Sequence, residues 1–390
     1  MNEHPADEVP HGHFPGIVPV LEDGRVRLRA MTAVDLPFVV EMCRDPESAR
    51  WTTVPQPYDL TTAEGFLRTH AEGWAQPRGR RHWAIELLPD DEGGELPFAG
   101  QVDVRPGERA TLPWEVGFAL HPAARGHGVM SAALRIAAQW AFAHRAPSLY
   151  WLAARGNFAS WRVAHACGFT HHGTLPQRVP VRDGTADAWV ASLLPGQPMT
   201  ARQPWVVPPV VEADGLRLRP LRDDDTAIAE PHDHPPHHLP ARAVPTPETF
   251  DDWLLRRRES MSIGRGSNWC IADATTDDPL GEVLVFVRDG GLTEGGTAEL
   301  GYSVRPSARG RDVAGRAARL AAEVALRPVA AGGFGLRRLV AETAADDTAS
   351  NRVLEGAGFS VWGREEAADD PAGSVSPVLH WERLARRPAP

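Results

Sequence analysis

The stretch Trp114-Glu115-Val116-Gly117-Phe118-Ala119-Leu120, then His121-Pro122-Ala123-Ala124-Arg125-Gly126-His127-Gly128-Val129, then Met130-Ser131-Ala132-Ala133-Leu134 decides the reading of this chain. It spells a strand, a glycine-bearing turn and a long apolar helix. A helix entered through such a turn has free N–H groups at its start. Those groups and the helix dipole make the junction a seat for a phosphate or pyrophosphate. A second version, AELGYSVRPSARGRDVAGRAARL, occupies Ala298–Leu320. The chain is therefore read as a tandem repeat.

Length agrees, since 390 residues exceed what one ordinary core supports and suit two domains. The 42% apolar content and 13 tryptophans are ample for two cores. All 41 basic residues are arginine and the net charge is -10, with no basic stripe, which argues against nucleic acid as the main partner. An acidic surface suits cationic substrates such as amines, although plain solubility is the favoured explanation. Cys43, Cys167 and Cys270 are far apart and match no metal or redox spacing, so reduced thiols and a cytoplasmic location are expected. Neither a signal peptide nor a spanning run of about eighteen apolar residues is legible, so no membrane partner is expected.

In chain order, residues 1–20 read as a flexible arm and 21–195 as the first lobe. Residues 196–211 read as a proline-rich linker and 212–390 as the second lobe. Val26–Met31 alternates like a strand, and Thr32 with Asp35 marks a helix start. A second helix is expected near Thr61–Trp74. His82–Leu87, Phe98–Val104 and Trp114–Leu120 form a strand meander. After the turn and its helix come a strand at Leu149–Ala154, a helix capped by Asn157 to Ser160 and ending at Gly168-Phe169, and strands around Thr170–Thr174 and Ala188–Leu194. The order restarts at Leu216–Leu221, with Glu299-Leu300-Gly301-Tyr302 echoing Glu115-Val116-Gly117-Phe118 and a glycine-rich insertion at Arg327–Gly335.

In Arg125-Gly126-His127-Gly128-Val129-Met130 the glycines permit turn angles and close approach to a ligand. Position after an antiparallel strand, outside any βαβ unit, weighs against a dinucleotide site. The element order, with Asn-x-x-Ser-x-x-Val and Gly-Phe, resembles the GNAT acyltransferase superfamily, in particular its branch that acetylates ribosomal-protein N-termini and some antibiotics. The resemblance covers most of both halves. It implies a mixed α/β (α+β) fold of two lobes, each a mostly antiparallel central sheet flanked by helices.

It also implies acetyl-CoA as co-substrate, its pyrophosphate held at Arg125, Gly126, His127, Gly128, Val129 and Met130, with Met130 departing from the family's small final residue. Glu115 then corresponds to a carboxylate that draws the proton from the amine, because only a neutral amine attacks a thioester; a solvent-facing strand glutamate is the plainer reading. Ser160 corresponds to a serine near the thioester sulfur that protonates the leaving thiolate, or else simply serves the helix start. Asn157 either touches the CoA arm or caps the helix. The expected reaction is direct acetyl transfer to a primary amine, of a protein N-terminus or a small antibiotic-like molecule, in a ternary complex. A non-catalytic acyl-CoA sensor or scaffold is the alternative, and a degenerate fold kept for interaction is a third.

The second copy departs further. Asp312 stands where the turn has Gly128, and Asp347 where the helix has Asn157, so weaker or absent CoA binding is expected there despite Glu299, Arg309 and Ser350. The two lobes are expected to make a monomer that substitutes for a homodimer. His232, His234, His237 and His238 suggest a metal, but the prolines among them make a loop instead of a coordination face, and no metal is expected. Arg256-Arg257-Arg258 reads as a solvated helix face.

Overall fold

The computed structural model describes residues 17–89, 96–182, 184–232, 242–369 and 375–385. It divides into two compact units, Met1–Arg202 and Gln203–Pro390.

Unit 1 runs β1 (Leu21–Glu22), β2 (Val26–Arg29), α1 (Leu36–Arg44), α2 (Pro46–Trp51), α3 (Leu60–Ala75), β3 (Arg81–Leu87), β4 (Leu96–Arg105) and β5 (Trp114–Leu120). It continues with α4 (Val129–Ala143), β6 (Leu149–Ala154), α5 (Phe158–Ala166), β7 (Thr170–Val181) and β8 (Gly184–Leu193). The sheet order is β1-β2-β3-β4-β5-β6-β8-β7. All neighbours are antiparallel except β5 and β6, which are joined through α4 as a βαβ unit and so correct the expectation that the turn lies outside one.

The residues explain this layering. In β2, buried Val26 and Leu28 alternate with Arg27 and Arg29, the pattern of a strand covered on one face. β3 is buried continuously from Arg81 to Ile85, because helices cover both faces of the central sheet. On one face α1 and α3 pack over Ala84 and Ala119. On the other, Trp140 of α4 meets Trp83 edge-to-face at 5.1 Å. The predicted Thr32/Asp35 capping box is present. Asp35 has a second task as well, for Arg29 forks onto its two oxygens at 2.8 and 2.9 Å and fastens β2 to the start of α1. The strands expected near Thr170 and Ala188 extend into the longer β7–β8 hairpin.

Unit 2 repeats the plan with β9 (Val211–Ala213), β10 (Leu216–Pro220), α6 (Phe250–Ser262), β11 (Gly266–Asp273), β12 (Pro279–Phe286) and β13 (Thr297–Val304). Then come α7 (Val313–Leu326), β14 (Arg338–Ala344), α8 (Thr348–Gly356), β15 (Ser360–Asp369) and β16 (Val375–Leu384). Its order, β9-β10-β11-β12-β13-β14-β16-β15, is the same, with β13 and β14 as the parallel pair. Arg219 forks onto Asp225 at 2.7 and 2.9 Å, repeating the Arg29–Asp35 clamp.

Candidate active site

The glycine turn lies where the sequence puts it. A single 3-10 turn, Pro122–Ala124, hands the chain to Arg125, and Gly128 is the N-cap of α4 with φ +72 and ψ 6. That left-handed conformation favours glycine, and no side chain caps the helix behind it. The start of a 15-residue helix is thus left with free amide donors.

Arg125 is occupied. Its Nη2 donates to Asp45 Oδ2 at 2.6 Å and to Ser48 Oγ at 3.0 Å. Burial opposes ionisation of Asp45, yet Arg125 and the Ser48 N–H hold its carboxyl below the usual range. Asp45 also caps α2, accepting from Ser48 N at 2.9 Å. At the far end of α2, Trp51 lies against Gly156, where an added Cβ would come within 3.3 Å of the indole. None of the residues of α2 is buried, so it is held by these end contacts and not by a core. A cleft of about 460 Å³ beside it is lined by Pro37, Val40, Glu41, Arg44, Asp45 and Pro122.

Next to the turn the sheet splits. β5 and β6 pair only through Trp114–Leu149, Glu115–Tyr150 and Val116–Trp151. From Gly117 to Leu120, β5 bonds to β4 on one side and, among the described residues, has no strand partner on the other. An extended, amide-bearing molecule can add along such an open edge.

Glu115 lies at the closed end of this notch, with its side chain 40% exposed and paired to Arg105 Nη1. Arg105 also donates to Asp103 Oδ2 at 2.8 Å. The guanidinium crosses Gly117, where a Cβ would stand 2.7 Å from Asp103 Oδ1 and closer still to Arg105. That crossing gives the glycine of Glu-Val-Gly its reason. On the same row, His82 Nε2 lies 3.9 Å from Asp103 Oδ1. His70 of α3 stacks on His82 at 3.4 Å between ring centroids. The ring nitrogens of both histidines are buried without hydrogen-bond partners. Burial, with the neighbouring His82 and Arg80 charges, pushes His70 down to about 2, and burial with Arg80 and Arg105 pushes His82 well below its ordinary value. Sequence reading missed this pair, whose two members meet only across a helix and a strand.

Asn157 is the N-cap of α5, its Oδ1 accepting from Ser160 N at 3.0 Å. Ser160 Oγ accepts from Trp151 Nε1 at 3.0 Å. Trp151 is in register with Val116 and so shares the sheet face opposite to Glu115. The structure brings Asn157 and Ser160 together and sets Glu115 on the other face.

Unit 2 differs at each of these points. Asp312 takes the left-handed position with φ 53, and its carboxylate lies over Gly315 in the first turn of α7, where an anion would sit. A cleft of about 150 Å³ remains there, lined by Val304, Ala308, Arg309, Gly310, Asp312, Val313, Ala314, Gly315 and Val353. Tyr302 OH donates to the Ser350 carbonyl at 3.3 Å, and burial pushes this phenol up to about 12. The partners of the central row change too. Asn268 and Leu284 hold the places of His82 and Asp103, while Phe286 opposite Glu299 replaces Arg105. Arg257 corrects the expectation of a solvated basic face, because it forks onto buried Glu282 at 2.7 and 2.9 Å. Consecutive helix residues point about 100° apart, so one of three arginines turns inward. His232 Nδ1 accepts from Arg309 Nη2 at 2.8 Å, whereas His234, His237 and His238 lie outside the described residues. Among the described residues no group of three His, Cys, Asp or Glu is placed to hold a metal ion, and no helix is long and apolar enough to cross a membrane.

Two mixed sheets, each split beside a helix entered through a left-handed residue, Gly128 in unit 1 and Asp312 in unit 2, define the class as one mixed α/β fold used twice. The family model for the acetyltransferase (GNAT) domain matches residues 25–170 and again 215–360, and the chain belongs to that family in both halves. It is an N-acetyltransferase of the GNAT type. Solved structures similar to it include Mycobacterium smegmatis RimJ in complex with CoA-disulfide, at 18% identity and TM-score 0.41 over 47% of this chain and 90% of that one. A GNAT-family acetyltransferase from Bacillus anthracis is similar at 15% identity and TM-score 0.39, over 45% and 98%. The ribosomal L7/L12 alpha-N-protein acetyltransferase RimL in complex with coenzyme A is similar at 17% identity and TM-score 0.39, over 46% and 97%.

Proposed function

We propose that unit 1 transfers the acetyl group of acetyl-CoA to a primary amine, and that unit 2 has lost this chemistry. The observation that carries the reading is the junction of two features in unit 1: the uncapped start of α4 behind Gly128 and the open edge of β5 beside it. Together they suit a molecule with a pyrophosphate at one end and an extended amide-bearing arm. The amides from Gly126 to Met130 receive the pyrophosphate, and the edge from Gly117 to Leu120 receives the arm. Asn157, at the start of α5, borders the notch from the β6 side.

The acceptor amine approaches on the face that carries Glu115. Its ammonium gives a proton to the Glu115 carboxylate, directly or through water, and the nitrogen lone pair then attacks the thioester carbonyl. The C–N bond forms, the C–S bond breaks, and the second proton shed by the nitrogen passes to the thiolate. Ser160 relays that proton in this reading: its O–H donates to the thiolate, and its oxygen regains a proton shed by the nitrogen, directly or through water; acceptance from Trp151 Nε1, which leaves the O–H free to donate, supports the role. The acceptor class is a primary amine, on a protein N-terminus or a small molecule.

The test is thiol release from acetyl-CoA against a panel of amines and N-terminal peptides. Glu115→Gln is expected to lower kcat/KM about a hundredfold with the KM for acetyl-CoA unchanged. Full turnover in that variant would remove Glu115 from the base role. Release of no thiol with any amine, alongside CoA binding, would favour an acyl-CoA sensor.

A further inference from the structure

We propose that Arg25, and not the motif residue Arg125, supplies the positive charge that meets the phosphates of the CoA moiety at the turn. This assignment rests on the acetyl-CoA reading of unit 1.

The first observation is where the charges at the turn are already spent. Arg125 faces the Asp45 carboxylate and the Ser48 hydroxyl, so its charge is balanced within the protein. Arg25 comes from the turn between β1 and β2, is exposed, and donates Nη2 to the carbonyl of His127. Its Nη1 lies 3.5 Å from where a Cβ on residue 128 would stand, on the open side of the glycine. Among the described residues it has no carboxylate partner. The nearby Asp23 carboxylate spends Oδ1 on the backbone amides of Arg25 and Val26, at 3.0 Å each. Arg25 is thus an uncompensated guanidinium held against an uncapped helix start.

The second observation comes from unit 2, where Gly215 holds the place of Arg25. A guanidinium stands at the matching carbonyl all the same, supplied by a different element. Arg316, from the first turn of α7, donates Nη2 to the Arg311 carbonyl at 2.9 Å and Nε to the Asp312 carbonyl at 3.2 Å, and its Nη1 reaches the Asp214 carbonyl. Unit 2 also carries its own anion at the seat, the Asp312 carboxylate over Gly315. Each unit therefore keeps a cation at this place. In unit 2 it shares the place with the Asp312 carboxylate, and in unit 1 Gly128 brings no carboxylate to the cation. An anion brought by the ligand completes the pair.

The experiment titrates the full chain with CoA and with dephospho-CoA, which lacks the 3′-phosphate, at low and high salt. R25Q, R25K and R125Q are compared with wild type, and thermal melts check folding. R25Q is expected to weaken CoA binding about tenfold at low salt, and the gap to wild type is expected to close as salt rises. R25K is expected to recover most of the loss, since it keeps the charge without the fork. An equal loss with dephospho-CoA places the diphosphate at Arg25, and a loss confined to CoA places the 3′-phosphate there; both support the assignment. R25Q binding CoA within twofold of wild type at low salt overturns it, as does a salt-independent loss shared by R25K. Absence of CoA binding in wild type overturns the reading of the turn itself.

Discussion

Acid should weaken unit 1 through His70 and His82 in particular. Both rings are buried, their nitrogens have no partners, and they face each other with Arg80, Arg105 and Asp103 around them. Burial and the flanking cations hold both below the ordinary histidine value. The folded state therefore stays neutral where the unfolded chain takes up protons, and stability is lost as pH falls below the unfolded value of about 6.5. At about pH 5 the unfolded state gains about 2 kcal/mol per histidine from that uptake, hence about 4 kcal/mol for the pair. With an m-value of about 2–3 kcal/mol/M, the urea midpoint of unit 1 should fall by roughly 1.5 M between about pH 7.5 and pH 5 from this source. Pulse proteolysis of the full chain in urea, with unit 1 peptides read by mass spectrometry, measures that midpoint. The control is His70→Leu with His82→Asn, the latter borrowing the Asn268 of unit 2. Carboxylates contribute equally to both proteins, so the difference between the two pH responses isolates the pair. If the double variant loses as much stability on acidification as wild type, the imidazoles are not held neutral and the reasoning fails.

Three more outcomes follow from the geometry. Asp312→Gly should relieve a left-handed aspartate, stabilising unit 2 by about 1 kcal/mol in thermal unfolding, and should raise CoA stoichiometry from one toward two by calorimetry. Unchanged stoichiometry would mean that Tyr302 and the altered row also close that site. Arg257→Ala should cost about 3 kcal/mol, because among the described residues it leaves the buried Glu282 carboxylate with only Asn268 Nδ2 at 3.0 Å; denaturant unfolding measures this, and a loss below about 1 kcal/mol would show the pair to be solvated. Ser160→Ala should lower kcat about tenfold or more with the KM values little changed if Ser160 protonates the thiolate, whereas a purely structural serine would show its loss in melting temperature alone.

The repeat, the sheet strands and the Gly128 turn were legible because each rests on local spacing. Alternation reveals strands, and the glycine turn with the helix behind it reveals the uncapped helix start. What escaped is carried by partners remote in sequence. Nothing near Arg125 points to Asp45, and nothing near His127 points to Arg25. His70 and His82 are separated by the end of a helix and the start of a strand, and their contact exists only once α3 lies on β3. α2 is short and buries nothing, so it has no apolar period to read. Arg257 was hidden by its two neighbours, which pair at the surface with Asp252 and Asp223 as a solvated run would.

An Arg–Asp fork ties the second strand to the turn that follows it in both units, at Arg29–Asp35 and Arg219–Asp225. The central row between them has diverged, with His82, Asp103 and Arg105 answered by Asn268, Leu284 and Phe286. A unit 2 carrying the unit 1 row would therefore receive it in a frame that already holds the matching fork, so the row can be exchanged without rebuilding that tie.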